Sequence, residues 1–156
     1  MANTYTQINI QSVFAVKGRE NILKDHFRDD LFRYISGILR QIGAYPLAVN
    51  GWKDHIHIFF ELPPTLFLSD IIKKVKASSS KWINENRLVA GHFQWQEGYS
   101  AFSYSRNQRH AVIKYIMGQE EHHRVKTFKE EYMNMMKEFE IEYDMKYLFE
   151  FFEDLK

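Results

Sequence analysis

The 156 residues carry 21 Lys and Arg against 20 Asp and Glu, a formal charge of +1, with 45% apolar and 16% aromatic content and no cysteine. That length and apolar share build one well-packed core and hardly two, so a single domain over 1–156 is expected. Lack of cysteine excludes disulfide staples, thiolate metal sites and a cysteine nucleophile, while no apolar run approaches the ~20 residues of a membrane helix and the start lacks signal-peptide character, so a cytoplasmic protein is expected.

The near-neutral total hides an asymmetry. Residues 129–156 hold 4 Lys against 9 Asp and Glu, or −5, which leaves +6 on the first 128. A basic body with an acidic tail, taken as about 143–156, suits a polyanion-binding surface and equally suits an ordinary wet helix face. In chain order, residues 6–16 read as an apolar-rich strand ending at the Lys17-Gly18-Arg19 turn. Over 20–42, Leu23, Phe27, Leu31, Ile35, Ile38, Leu39 and Ile42 recur every three or four positions, and Gly43 stands where a helix would stop. Residues 45–50 and 55–62 predict a hairpin around Gly51-Trp52-Lys53-Asp54, closed by Pro63-Pro64. Ser69 and Asp70 open a second helix with Ile71, Ile72, Val75, Ser79, Trp82 and Ile83 on its buried face. Short strands are predicted at 93–96 and 99–105, then a third helix from Asn107 to near His122-His123. A last helical stretch over 127–142 sets Phe128, Tyr132, Met135, Met136 and Phe139 along one side. The order strand, helix, strand, strand, helix, strand predicts an α+β, ferredoxin-like split βαβ sandwich with an antiparallel sheet. Helices should cover one face, with the C-terminal tyrosine helix added and the other face open to single-stranded nucleic acid.

Two patterns carry chemistry. The strand period of two sends His55 and His57 to one face and Ile56, Ile58 and Phe60 to the other. Alpha carbons about 7 Å apart let both imidazoles converge on one ion, although the pair alone also fits two exposed strand histidines. In Tyr115-Ile116-Met117-Gly118-Gln119, a spacing of four places the phenol and the amide on one helix face, with His122 and His123 a turn further on. Alone, that also describes a half-buried core tyrosine beside a surface glutamine. Lys73, Lys74, Lys76, Lys81 and Arg87 make the second helix basic, and Trp52, Trp95 and Tyr99 offer stacking surfaces, so these are candidate DNA contacts that otherwise read as solvated or core positions.

The motifs Asp54-His55-Ile56-His57, Glu61-Leu62-Pro63-Pro64 and Lys76-Ala77-Ser78-Ser79-Ser80-Lys81-Trp82 follow one another along the chain. After them come Trp95-Gln96-Glu97-Gly98-Tyr99-Ser100-Ala101-Phe102-Ser103, Tyr115-Ile116 with Gln119-Glu120-Glu121-His122-His123, and Phe128-Lys129-Glu130-Glu131-Tyr132. In that order they resemble the single-tyrosine transposases of the HUH endonuclease superfamily, the smallest transposases of bacterial insertion sequences, over roughly residues 5–150. The resemblance implies metal ligands at His55 and His57, a nucleophile at Tyr115, and Gln119 completing the metal shell. It further implies single-stranded DNA with hairpins at element ends as substrate, and a homodimer whose active sites are shared between subunits. Mg2+ is the expected ion, with Mn2+ able to substitute, because imidazole and amide ligands do not settle its identity.

The chemistry is coherent on physical grounds. A phenol with pKa of about 10 is a poor nucleophile at neutral pH, and the phosphodiester repels anions. A Lewis-acidic ion on a nonbridging oxygen addresses the repulsion, and a 5′-phosphotyrosine conserves the ester bond for rejoining without ATP, so no nucleotide is expected. Three other readings predict different outcomes: a non-catalytic single-strand binder, a metal hydrolase that forms no protein–DNA adduct, and a domesticated relative acting on dispersed hairpin repeats. Tyr99 and Tyr104 are competing nucleophiles but fall on predicted strands without a glutamine one helical turn away.

Overall fold

A computed structural model describes residues 3–142. Strand β1 (Asn9–Ala15) leads to helix α1 (Asp25–Ile42), the hairpin β2 (Tyr45–Gly51) and β3 (His55–Glu61), helix α2 (Leu68–Glu85) and strand β4 (Ser100–Tyr104). Helices α3 (Arg109–Met117), α4 (Gln119–Val125) and α5 (Phe128–Glu138) follow. The sheet has order β2-β3-β1-β4 with every neighbouring pair antiparallel, which is the expected split sandwich. The expected acidic tail lies outside the described residues.

Strand alternation sorts the side chains into two layers. Ile10 and Phe14 of β1 and Ile56, Ile58 and Phe60 of β3 face α1 and α2, and join Phe27, Leu31, Ile35, Leu39, Ile72 and Val75 in the main core. Helix α1 ends where Gly43 takes a left-handed conformation at φ 91° and donates back to the carbonyls of Leu39 and Arg40. Its start is later than the apolar spacing suggests. Leu23 is fully buried yet not helical, and its amide donates to the Lys53 carbonyl at 2.8 Å, so this segment docks on the β2–β3 turn.

The predicted strand at 93–96 is reduced to one bridge between Val16 and Trp95. Trp95 turns inward, its ring edge-on to both Phe14 and Phe93 at 4.9 Å, and its indole N–H donates to Ser79 Oγ. Lys76 Nζ donates to the carbonyls of Gln96 at 2.9 Å and Gly98 at 2.6 Å, shaping the loop from beneath. Partial burial lowers this amine to about 8.

The other face of the sheet is not left open. Val13, Ala15 and Phe102 are covered by Phe128, Tyr132, Met135 and Met136 of α5, and Ala48 and Phe59 by Val112 and Ile116 of α3. The apolar residues on that face need burial, and the stripe of α5 matches them. Between these two apolar patches runs a polar strip made by Gln11, His55 and His57, all at most 1% exposed.

The tight β2–β3 turn holds the two histidines in register. A Cβ at Gly51 would lie 2.3 Å from the backbone oxygen of His55, whereas one at Gly37, on the exposed side of α1, would meet nothing within 4 Å. Gly51→Ala should therefore destabilise the protein by about 1–3 kcal/mol through forced backbone movement, and Gly37→Ala should stabilise it by about 0.5–1 kcal/mol. Urea unfolding of both variants checks this, and a Gly51→Ala midpoint equal to wild type would refute it.

Candidate active site

β3 supplies His55 and His57, both fully buried, and their ring centroids lie 5.2 Å apart. Asp54 Oδ1 accepts from His55 Nδ1 at 2.7 Å. The other ring nitrogen, Nε2, faces Gln119 Oε1 at 3.0 Å and Glu131 Oε1 at 3.4 Å. All three neighbours are acceptors, so the ring donates from both nitrogens. Burial works against that charged ring, but the bonds to Asp54 and Glu131 outweigh it and raise the His55 pKa above its ordinary value.

His57 behaves differently although it sits two residues away. Burial dominates and lowers its pKa, despite the nearby Glu131 carboxylate. Its Nδ1 lies 2.9 Å from Gln11 Nε2, an amide donor, and its Nε2 donates to Glu131 Oε1 at 3.0 Å, which describes a neutral ring. Gln11 is held in turn by the Tyr104 hydroxyl, which donates to Gln11 Oε1 at 2.7 Å. A ligand on His57 Nε2 requires the other tautomer, with the Gln11 amide turned so that its oxygen faces the ring.

The residue that joins the parts is Glu131, 5% exposed, on α5. Its Oε1 meets His55 and His57, with His123 Nε2 at 3.6 Å. Its Oε2 accepts from the Tyr115 hydroxyl at 2.5 Å and from Gln119 Nε2 at 3.0 Å. Burial alone would raise this carboxyl, but the three histidines hold it far below the usual carboxylate range. The same charge, added to burial, pushes the Tyr115 phenol well above its ordinary value.

Tyr115 and Gln119 reach the cluster from two successive helices and not from one continuous helix. α3 stops at Met117, Gly118 caps it by donating to Lys114 and Tyr115, and α4 restarts at Gln119. Gln119 is fully buried, and the His122 ring lies 4.6 Å from that of Tyr115. His123 sits against His55 at 4.8 Å, and Trp52 stacks over His123 at 6.2 Å. Thus His55, His57, Tyr115 and Gln119 are brought together within one chain.

Sequence reasoning assigned no role to Glu131. The signal was present: within 128–136 the core-facing positions are Phe128, Glu131, Tyr132, Met135 and Met136, so an acidic residue interrupts an otherwise apolar stripe. His55, His57 and Glu131 each offer a ligand atom, and these atoms all lie within 4.8 Å of one another. Two imidazoles and a carboxylate converging in a buried pocket suit a divalent cation, with Gln119 at its edge.

The expected DNA contacts divide. Trp95 is 8% exposed and belongs to the core, so it presents no free ring face to a base. Lys76 is occupied by loop carbonyls. Lys73, Lys81 and Tyr99 are exposed, but α2 lies across the sheet from the cluster, so Lys73 and Lys81 stand apart from it.

Residues 4–119 match the family model described as transposase IS200-like. The chain is 24% identical over 119 residues to the ISDra2 transposase TnpA of Deinococcus radiodurans, covering 72% of this chain and 84% of that protein. Its fold resembles the crystal structure of a Deinococcus radiodurans R1 protein assigned as a transposase, with TM-score 0.61, 22% identity, and coverage of 76% of this chain and 96% of that one. It also resembles a REP-associated tyrosine transposase bound to a REP hairpin, with TM-score 0.55, 14% identity, and coverage of 79% and 74%.

The opposite shifts of the two histidines generate a test on metal-free protein. A raised folded pKa stabilises the protein fully below the unfolded value of about 6.5, and that contribution is lost as pH rises through the higher folded value. Ring-proton NMR titration should show His55 charged above pH 6.5 and His57 neutral there. Asp54→Asn should lower the His55 midpoint, and an unchanged midpoint would overturn the assignment.

Proposed function

The chain belongs to the IS200-like transposase family, and from that premise we propose that it cuts and rejoins single-stranded DNA through a 5′-phosphotyrosine at Tyr115, with a divalent metal at His55 and His57. The observation that carries the reading is the meeting at one buried carboxylate, Glu131, of the Tyr115 hydroxyl and the two HUH histidines. Neither a pure binder nor a water-using hydrolase requires a phenol at that point.

His55 and His57 would hold the ion through their Nε2 atoms, with Glu131 as the carboxylate ligand and Gln119 beside them. When bound, the ion supplies Lewis-acid polarisation of the scissile phosphate. Mg2+ prefers oxygen donors and Mn2+ accepts the mixed set more readily, so the proposal is Mg2+ in cells with Mn2+ substituting. Asp54 fixes the Nδ1 proton of His55 and so points Nε2 inward.

Tyr115 stays neutral until it reacts, because burial and the Glu131 charge disfavour phenolate. As the phenol oxygen forms its bond to phosphorus, its proton leaves along the 2.5 Å hydrogen bond to Glu131 Oε2 and passes on to solvent, because the histidines that hold this carboxyl low make it a relay and not a store for the proton. The bond from phosphorus to the preceding nucleotide's 3′-oxygen breaks, and that oxygen leaves as a hydroxyl after taking a proton from solvent. In the reverse step a 3′-hydroxyl attacks the phosphotyrosine and gives its proton to solvent, while the departing phenolate regains a proton from solvent through Glu131. No bond energy is lost to hydrolysis, which is why joining needs no nucleotide.

The hairpin belongs to the proposal through a fold neighbour described as bound to a REP hairpin. The same likeness supports a second reading, in which the substrate hairpins are repeats dispersed in the genome rather than the ends of the chain's own element. The homodimer with active sites shared between subunits stays part of the proposal, since a pair of chains would also bring two DNA ends together. Exposed Lys73, Lys81 and Tyr99 are kept as candidate backbone contacts; Lys76 and Trp95 are better explained by structure.

Incubating the protein with labelled hairpin-bearing single strands and Mn2+ should give a covalent adduct on a denaturing gel. Tyr115→Phe should reduce it by at least about 10³-fold, and EDTA should do the same. Strand cleavage at wild-type rate in Tyr115→Phe would sink the tyrosine mechanism. Separately, Asp54→Asn should weaken Mn2+ binding about 10–100-fold by loosening the orientation of His55, measured by electron paramagnetic resonance titration. Binding should also weaken at acid pH, because the ion competes with the proton on His55 Nε2.

A further inference from the structure

We propose that the cavity beside Tyr115 is a binding subsite for the single nucleotide whose 5′-phosphate becomes joined to that tyrosine, and that side chains on its walls select the base. The proposal rests on the tyrosine mechanism above and adds a ligand and a specificity to it. The cavity measures about 410 Å³ and lies between α3, α4 and α5, with Gln11 and Tyr104 of the sheet at its floor. Tyr115 and Glu131 both stand in its wall. Elsewhere the cluster is closed off, since His55, His57 and Gln119 are fully buried. A phosphodiester therefore reaches the Tyr115 oxygen through this cavity, and whatever the phosphate carries must be accommodated there.

Size and chemistry identify the occupant. A volume of about 410 Å³ is more than a phosphate group fills and falls within the roughly 300–1,000 Å³ of small-molecule sites. The walls divide by chemistry. Lys126, which caps α4, supplies a cation suited to phosphate oxygens, with the His122 ring near it and Glu138 also in the lining. Ala111, Val112 and Met135 give apolar surface, and the Tyr104 ring gives a flat face for a base. Asn134 of α5 offers a carboxamide with both a donor and an acceptor, the pair needed to read a base edge, whereas the Gln108 oxygen is held by the Ser105 amide and hydroxyl. Asn134 is exposed, so it is not required for the core. An unstacked nucleotide matches this combination, whereas a sugar phosphate would leave the apolar and amide walls unused.

The probes are the four deoxynucleoside 5′-monophosphates and, as a base-free control, deoxyribose 5-phosphate, each titrated into full-length protein with Mn2+ by calorimetry. At least one nucleotide should bind tenfold or more tightly than the sugar phosphate, and the four should differ among themselves. Ala111→Trp, an exposed position on the cavity rim, should erase the advantage of the base while leaving Mn2+ affinity unchanged. Asn134→Ala should flatten the preference among the bases by about tenfold. Equal binding of all five probes, or base-dependent binding retained in Ala111→Trp, would overturn the subsite. The adduct gel is scored separately. An adduct without base-dependent binding refutes the subsite and leaves the tyrosine mechanism standing. Base-dependent binding that Ala111→Trp abolishes, without an adduct, supports the site and refutes the mechanism.

Discussion

A carboxylate removed from water must be matched by donors or it will not stay there, and Glu131 is that constraint in this protein. It is 5% exposed, and both oxygens are committed: one toward His55, His57 and His123, the other toward Tyr115 and Gln119. The five partners come from three elements, β3, α3 and α4, so satisfying one carboxylate fixes these and α5 relative to one another. The same five contacts explain the electrostatics. Three imidazoles hold the carboxyl low, and the carboxylate in turn keeps Tyr115 protonated.

That polar cluster survives in an interior because apolar packing brackets it. On one side α5 lays Phe128, Tyr132, Met135 and Met136 on Val13, Ala15 and Phe102, and on the other α3 lays Val112 and Ile116 on Ala48 and Phe59. Burial of these side chains drives the helices onto the sheet and leaves only the strip between them for groups that pair with each other. The sheet itself is anchored from behind by α1 and α2, so the histidine strand has a rigid support on its other face. A cluster built on strands with helices locked across it holds its side chains in fixed relative positions.

Much of this was legible in the residues. Alternation in 55–60 placed both histidines on one face and Ile56, Ile58 and Phe60 on the other, because strand geometry leaves no freedom in the matter. Three- and four-residue spacing marked α1, α2 and the apolar side of α5, and Gly43 ended α1 as a left-handed cap. The strand expected at 93–96 dissolved because Trp95 found its place in the core and Lys76 took loop carbonyls, both long-range contacts that local pattern does not register. The helix carrying Tyr115 broke at Gly118, yet Tyr115 and Gln119 still meet the same Glu131 oxygen, as a spacing of four expects.

The sequence by itself determined the sheet, the amphipathic helices, the paired histidines and the tyrosine with its following glutamine, since each depends on neighbours within a few positions or on motifs read in order. The tertiary structure alone decided three further points: the free face of the sheet is covered, Glu131 sits between the histidines and Tyr115, and Trp95 packs in the core while Lys76 bonds loop carbonyls. The reason is physical. Backbone periodicity says which side of an element a residue occupies, but not what arrives there from far along the chain. In the case of Glu131, separated from His57 by 74 positions, only the packing of α5 against the sheet brings the two within 3.0 Å.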